Sequence, residues 1–532
     1  MNATIRLAVA ATMMIGLAAC EGGGVDLNVS NTDNSVDNST GGGDGGGSTN
    51  PCASYTPAGS STAVRGSFDG TNCVYSSGFV GANNPLLVDL TIPFISGLHI
   101  FQDSLFVGTN VNTGAAPQEG EGPTLTIQAG NTLVFQDAFD YVLINRGSQI
   151  IANGSPTAPI TFTSFTDAVT GTATANDVQQ WGGVVINGNG ITNNCSDDER
   201  ANNLCHVVSE GQPSNYGGSN NAESSGSLQF VIVKHSGFEV APGDELNGIT
   251  FNAVGSGTVV NNVQVYSTYD DGFEFFGGAV NATNLVALYI RDDSFDFSDG
   301  YVGTIEGALA IHFPTDGNRC VEHDNVGESR STAGAPLDTA PLTQVTIRNL
   351  TCIPSNSDVN THGDSEGVLV RQGGQLTLEN SIVYAGYGTS VNGLSSNECF
   401  EVESDVSLAF AAANDAFTQT GNVLACQEAV KGTLANGDAL TEWFLGANPS
   451  TNGADYSFNS GNFTIIDPAN ANTQVLVPGT YFTAPAIVDE AAVTIVADAS
   501  GLGAVQDGSD WTAPWAFGLR AANADVPLWF AP

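Results

Sequence analysis

An all-β chain wound as a parallel β-helix is predicted by three observations. From about residue 95 the sequence falls into short alternating strands, such as Leu125–Ile127, Leu133–Phe135, Tyr141–Ile144, Gln149–Ile151, Ile160–Phe162 and Gly183–Ile186, broken by Gly, Asn, Asp and Ser. Their apolar residues are β-branched or Phe, as strand packing prefers, and no strong helical period occurs before about residue 405. The third observation is an internal repeat. Val263-Gln-Val265 and Asp270-Asp-Gly-Phe-Glu-Phe275 recur 22 residues later as Leu285-Val-Ala287 and Asp292-Asp-Ser-Phe-Asp-Phe297. A strand-and-turn repeat of that length is one coil of a β-helix; sandwiches and propellers would show hairpins or blade-sized repeats.

The elements follow in order. The string Leu17-Ala-Ala-Cys20, behind Arg6 and an apolar run too short to span a bilayer, resembles the lipobox of bacterial lipoproteins. The resemblance implies a signal peptide over 1–19 and acylation of Cys20. Glu21 and Gly22 follow, in place of the aspartate that retains such proteins at the inner membrane, so a lipid anchor in the outer membrane, at the cell surface, is expected. Residues 20–50, rich in Gly, Ser, Asn and Asp, bury too little to offset ordering entropy and read as a flexible tether. Residues 51–94 read as an N-terminal cap region and 95–396 as the β-helix. The Ala- and Leu-rich stretch 397–450 reads as a partly helical insertion or cap, and 451–532 as strands and loops finishing it.

The coils at Leu125–Phe135, Pro159–Ser164, Trp181–Gly188, Glu245–Thr250 and Asp270–Gly278, with an echo at Trp511–Trp515, resemble those of bacterial pectin-lyase-like surface proteins. That resemblance implies a single-stranded right-handed parallel β-helix and leaves the activity open, because many such proteins have none assigned.

Twelve Lys and Arg stand against 55 Asp and Glu, a net charge of −43, which excludes nucleic acid and anionic headgroups as partners. It suits cation binding or solubility at high salt. Of nine cysteines, setting Cys20 aside leaves four local pairs: Cys52/Cys73, Cys195/Cys205, Cys320/Cys352 and Cys399/Cys426. Nearest-neighbour disulfides are the simplest pairing in an exported chain, and no CxxC spacing points to zinc.

The acidic repeat is where chemistry is expected. With Phe273, Phe275, Phe295 and Phe297 pointing inwards, Glu274 and Asp296 point outwards one above the other, about 4.8 Å apart. Asp270 stacks over Asp292 and Asp271 over Asp293 at the strand entrance, and Asp299 lies at its exit. Like charges so close repel by roughly 1 kcal/mol or more each, so a bound cation, a raised pKa or nearby Arg291 must offset them. Three readings stay open. Asp270, Asp271, Glu274, Asp292, Asp293, Asp296 and Asp299 are ligands for Ca²⁺, with no organic cofactor. Alternatively, Asp270, Asp271, Asp292, Asp293 and Asp296 are the acids of a polysaccharide hydrolase or lyase. The third reading is that they only cap turns.

The hydrolase reading lacks the Arg-x-Lys of polygalacturonases, and Thr361-His362-Gly363 lies about 70 residues past the aspartates. A lyase base among Arg291, Arg319 and Arg371 would need a rare depressed pKa. Histidines show no metal-ligand spacing, and the G-x-S-x-G match at Gly363–Gly367 runs into a strand, where an elbow needs a helix. Tyr266, Tyr269, Tyr289 and Tyr301 lie near the repeat, where exposed rings would stack on sugars. The chain is therefore expected to be a non-catalytic module that binds a glycan, a cation or an outer-membrane protein. A polysaccharide-active enzyme and a structural adhesin are the alternatives.

Overall fold

The computed structural model describes residues 50–355, 360–384, 398–413, 417–425, 428–433, 463–465, 488–489, 494–495, 501–505, 510–520, 522–524 and 528. The expected signal peptide over 1–19, Cys20, all but the last residue of the expected tether, Cys426 and most of 434–500 lie outside them.

Coils stack so that one side forms a ten-stranded, wholly parallel sheet. It runs from Leu105–Val107 through Val184–Asn187, Ile249–Asn252, Phe273–Phe276, Phe295–Ser298, Arg319–Asp324 and Glu366–Arg371 to Glu428–Lys431. The register is the one the repeat predicts, with Phe273 opposite Phe295 and Val263 opposite Leu285. Alternation sends Phe251, Phe275 and Phe297 inwards, where successive rings stack 5.0 Å apart. Phe101, Phe135 and Trp181 make a second column, at 5.6 and 4.6 Å.

The other two sides belong to one eighteen-stranded sheet. Early coils use separate strands, Gln149–Asn153 and Ile160–Ser164, which pair with the two halves of the single strand Gly226–Lys234. From there the chain turns the corner within one strand. A column of left-handed residues makes the bend: Phe230 (φ 49°), Asn262 (54°), Asn284 (60°), Gly307 (74°), Asn349 (58°) and Asn380 (52°). Asparagine recurs because its short polar side chain tolerates this conformation. The Asn284 amide also donates to Asn262 Oδ1 at 3.3 Å, tying one corner to the next.

Two boundaries differ from expectation. Parallel pairing begins before residue 95, since Cys73–Tyr75 already pairs with His99–Phe101. Among the described residues of 397–450 there is one helix, Asp405–Ala413, but the strands Glu398–Val402, Asn422–Ala425 and Glu428–Lys431 extend both sheets. It continues the coil more than it caps it.

The described C-terminal residues lie along the side of the coil. Outward-facing Ile232, Val286 and Leu309 form an apolar strip, buried beneath Ala504, Trp515, Ala516 and Leu519. Fully buried Gln264 fixes this strap with two hydrogen bonds, donating to Phe517 O (2.8 Å) and accepting from Phe517 N (2.7 Å). Gln264→Ala leaves both backbone groups unpaired, and a loss of about 1–3 kcal/mol is expected in denaturant unfolding.

Disulfides join Cys52–Cys73, Cys195–Cys205 and Cys320–Cys352. Cys399 is also disulfide-bonded.

Candidate cation-binding groove

The outer face of the ten-stranded sheet carries the acidic residues, and parallel register sets their order. One outward column reads Thr250, Glu274, Asp296, Glu322, Leu369, Glu401, Lys431. At the strand entrance runs a second column, in which each side chain caps the next coil. Asn247 Oδ1 accepts from Asp271 N (3.1 Å), Asp271 Oδ1 from Asp293 N (2.9 Å) and Asp293 Oδ1 from Arg319 N (2.8 Å). Turn capping therefore occupies one oxygen of Asp271 and one of Asp293.

The face is not an open ladder. Inserted segments overhang it: the strands Val207–Val208 and Asn215–Tyr216, the hairpin Phe238–Ala241/Asp244–Leu246, and the short helix Glu328–Thr332. Between them and the sheet lies a cavity of about 1030 Å³ lined by Asp270, Asp271, Glu274, Asp292, Asp293 and Asp296, with Glu210, Glu322, Asp324, Arg319, Arg371 and His362. Asp271, Glu274 and Asp293 are 4–6% exposed, so these carboxylates are largely out of water.

Six of the seven proposed metal ligands come together in three overlapping groups, with one ligand atom from each residue lying within 4.8 Å of the others. These are Asp270, Asp292 and His362; Asp271, Asp292 and Asp293; and Asp271, Glu274 and Asp296. Asp299 is not among them. It takes a left-handed turn conformation at the strand exit (φ 56°) and is held by Arg330 at 2.8 Å.

Basic residues divide the face in two. Beyond Asp296 the carboxylates are neutralised. Arg319 meets Glu322 (2.7 Å) and Glu366 (3.3 Å), Arg371 meets Glu322 and Asp324 (3.1 Å), and Lys431 meets Glu401 (2.8 Å) and Glu398 (3.3 Å). With Arg330, four of the chain's twelve Lys and Arg serve this face. Among the described residues no Lys or Arg nitrogen lies within 4.0 Å of Asp270, Asp271, Glu274, Asp292 or Asp296, and Asp293 reaches Arg319 only at 4.0 Å. Burial, reinforced by the neighbouring negative charges, holds Asp270, Asp271, Glu274, Asp293 and Asp296 well above the usual carboxylate range. Burial and Glu245 likewise push Glu210 up to about 7, against a hydrogen bond with Glu274.

Several expected partners lie elsewhere. Arg291 faces Asp316 (2.8 Å) and Asn176, so it offsets nothing in the groove. Arg319 and Arg371 line it, but despite burial their acidic neighbours raise both guanidinium pKa values, which rules them out as bases. Tyr266, Tyr289 and Tyr301 are core residues at 0–1% exposure, and Tyr269 packs edge-on to the lining residue His362 at 4.9 Å without itself lining the groove. Ser365 is buried beside a strand, with no elbow.

The histidines show no metal-ligand spacing in sequence, yet His362 Nδ1 sits 3.1 Å from Asp292 Oδ2. Burial opposes its protonation, but the hydrogen bond and charge of Asp292 prevail and raise its pKa. Sequence reasoning also missed Glu210, Glu322, Asp324 and Glu366. The outward alternation of Glu322 and Asp324 around Val321 and His323 was the available signal.

Orphaned oxygens complete the donor set. Asp296 Oδ1, Ser298 Oγ and Asn318 Oδ1 belong to groove-lining residues and are buried without a hydrogen-bond partner; Ser298 and Asn318 are 2% and 3% exposed. Carboxylate, hydroxyl and amide oxygens are what a hard divalent cation takes, about six to eight at a time.

No curated protein and no solved structure gives a significant match. A family model described as a pectate-lyase-like β-helix domain matches residues 113–516, most of the chain and all of the groove, and the protein belongs to that family.

Proposed function

We propose that the groove binds a divalent cation, calcium in an oxidising exterior, and that the loaded cleft is a non-catalytic binding module for a glycan. On this reading Cys20 anchors the chain by lipid to the outer membrane, and the tether holds the β-helix off the surface as a display platform. The observation that carries the proposal is the division of the acidic face. The chain's scarce cations go to Glu322, Asp324, Glu366, Glu398 and Glu401, and leave Asp270, Asp271, Glu274 and Asp296 without a Lys or Arg nitrogen within 4.0 Å among the described residues, beside orphaned oxygens. Buried like charges are stable only if protonated or bridged by a cation.

Calorimetric titration with CaCl₂ tests this. Binding is expected for the native protein at pH 7.5, with a loss of about tenfold or more in Asp296→Asn, which removes a charged ligand. No heat from the native protein sinks the reading.

One arrangement favours catalysis instead. Asp270 and Asp292 face each other from adjacent coils with His362 against Asp292, and burial and that neighbour raise the Asp270 pKa well above the usual carboxylate range. A carboxyl of raised pKa and a paired one across a cleft are the parts of a glycosidic acid and base. Reducing-end or unsaturated products from acidic polysaccharides, abolished in Asp270→Asn, would replace the binding module with an enzyme.

A further inference from the structure

The groove's sheet residues reach a cation from one side only. Asp271, Glu274 and Asp296 lie on or at the entrance of two neighbouring strands and share one outward face. Ser298 belongs to the same pair of strands. A hard cation is surrounded by oxygens, so a site of this kind needs a ligand from the opposite wall.

The overhanging segments bring Glu210, Asp244, Glu245 and Glu328 to the opposite wall. Glu210 lies in the inserted segment between Val207–Val208 and Asn215–Tyr216 and lines the cavity together with Glu274. The other acids of that wall each have a partner: Glu328 meets Arg371 at 3.4 Å. Asp244 Oδ1 accepts from Gly211 N (2.7 Å), and Glu245 Oε1 accepts from Gly243 N (3.1 Å).

The segment is also held in place by the body of the coil. Asn252 donates to Ser209 Oγ at 2.7 Å, and buried Arg146 donates to the carbonyls of Cys205 (2.7 Å) and Gly217 (2.8 Å). Glu210 is thus delivered over the sheet from a supported loop.

We propose that Glu210 is the cation ligand supplied by the inserted loop, so that the bound ion fastens Val207–Tyr216 onto the sheet. This rests on the cation reading above. It goes further by making the groove's roof part of the metal site.

The test combines calcium titration with hydrogen exchange across Val207–Tyr216, on the native chain, Glu210→Gln and Asp296→Asn. For the native protein calcium is expected to bind and to slow exchange in the loop. For Glu210→Gln the affinity is expected to fall about tenfold and the slowing to vanish, with no loss of melting temperature in chelator. Native-like affinity and loop protection in Glu210→Gln overturn this inference and leave the cation reading standing. Absence of calcium binding in the native chain overturns both, and Asp296→Asn, which keeps Glu210, is expected to lose loop protection together with affinity.

Discussion

Thermal unfolding in chelator is expected to shift to lower temperature as pH rises from about 5 to 8, and calcium is expected to reverse most of that loss at pH 8 but little at pH 5. The groove carboxyls have pKa values raised by burial and mutual repulsion, and Glu366 is pushed up to about 7 by the same burial. The folded chain therefore keeps protons that the unfolded chain releases above about pH 4. With fewer protons bound in the unfolded state, unfolding free energy falls as pH rises through the folded-state values.

A cation takes the place of the protons and favours the ionised carboxylates, which is why its effect belongs to high pH. Glu223 provides an internal control. It is buried at 2% exposure away from the groove face, accepts from Gly255 N, and is pushed up to about 7 by burial. Relative to an ordinary glutamate at 4.5, this one group costs ~3 kcal/mol at pH 8. Glu223→Gln should flatten part of the pH slope in a way calcium cannot. A melting midpoint in chelator that is flat across pH 5–8 would contradict the assignment.

Phe275→Ala is expected to lose ~3–5 kcal/mol in denaturant unfolding, among the largest effects of any single core truncation. Phe275 is fully buried at the centre of a column, 5.0 Å from each of Phe251, Phe297 and Tyr301. A cavity there cannot collapse easily, because hydrogen-bonded strands fix the spacing above and below. Phe275→Leu keeps most of the volume and should cost less than half as much. A loss under about 1 kcal/mol for the alanine variant would show that the column is not close-packed.

How much of this was legible varied along the chain. Between Asp270 and Phe297 the two coils have equal length, so repeat, register and outward acids could be read together, and Glu274 does stand opposite Asp296. The reading stopped where the coil length changed. Asp296 pairs with Glu322 and Glu322 with Leu369, intervals of 26 and 47 residues that hide the stacking from any fixed period. Glu322, Asp324, Glu366 and the arginines that neutralise them ride on those longer coils.

Glu210 was invisible, and His362 was set aside as too distant in sequence, for a related reason. Each reaches the groove from an insertion whose path is set by tertiary contacts, such as Asn318 donating to His362 O at 3.0 Å. The tyrosines failed as sugar-stacking candidates because alternation alone does not say which outer faces the rest of the chain will cover. Tyr266 is buried beneath Phe517, 4.8 Å away in space and far away in sequence.

That distant contact also sets an order of assembly. Successive coils meet across 22 residues or a few tens, so each can zip onto the last with little loop-closure cost. The strap joins Phe517 to Gln264 across 253 residues, and its apolar underside matches a strip that exists only once several coils are stacked. Its docking is therefore the late step of folding. Until it happens, Ile232, Val286 and Leu309 form a bare hydrophobic stripe along the growing rod, and that interval is when the chain is most open to aggregation.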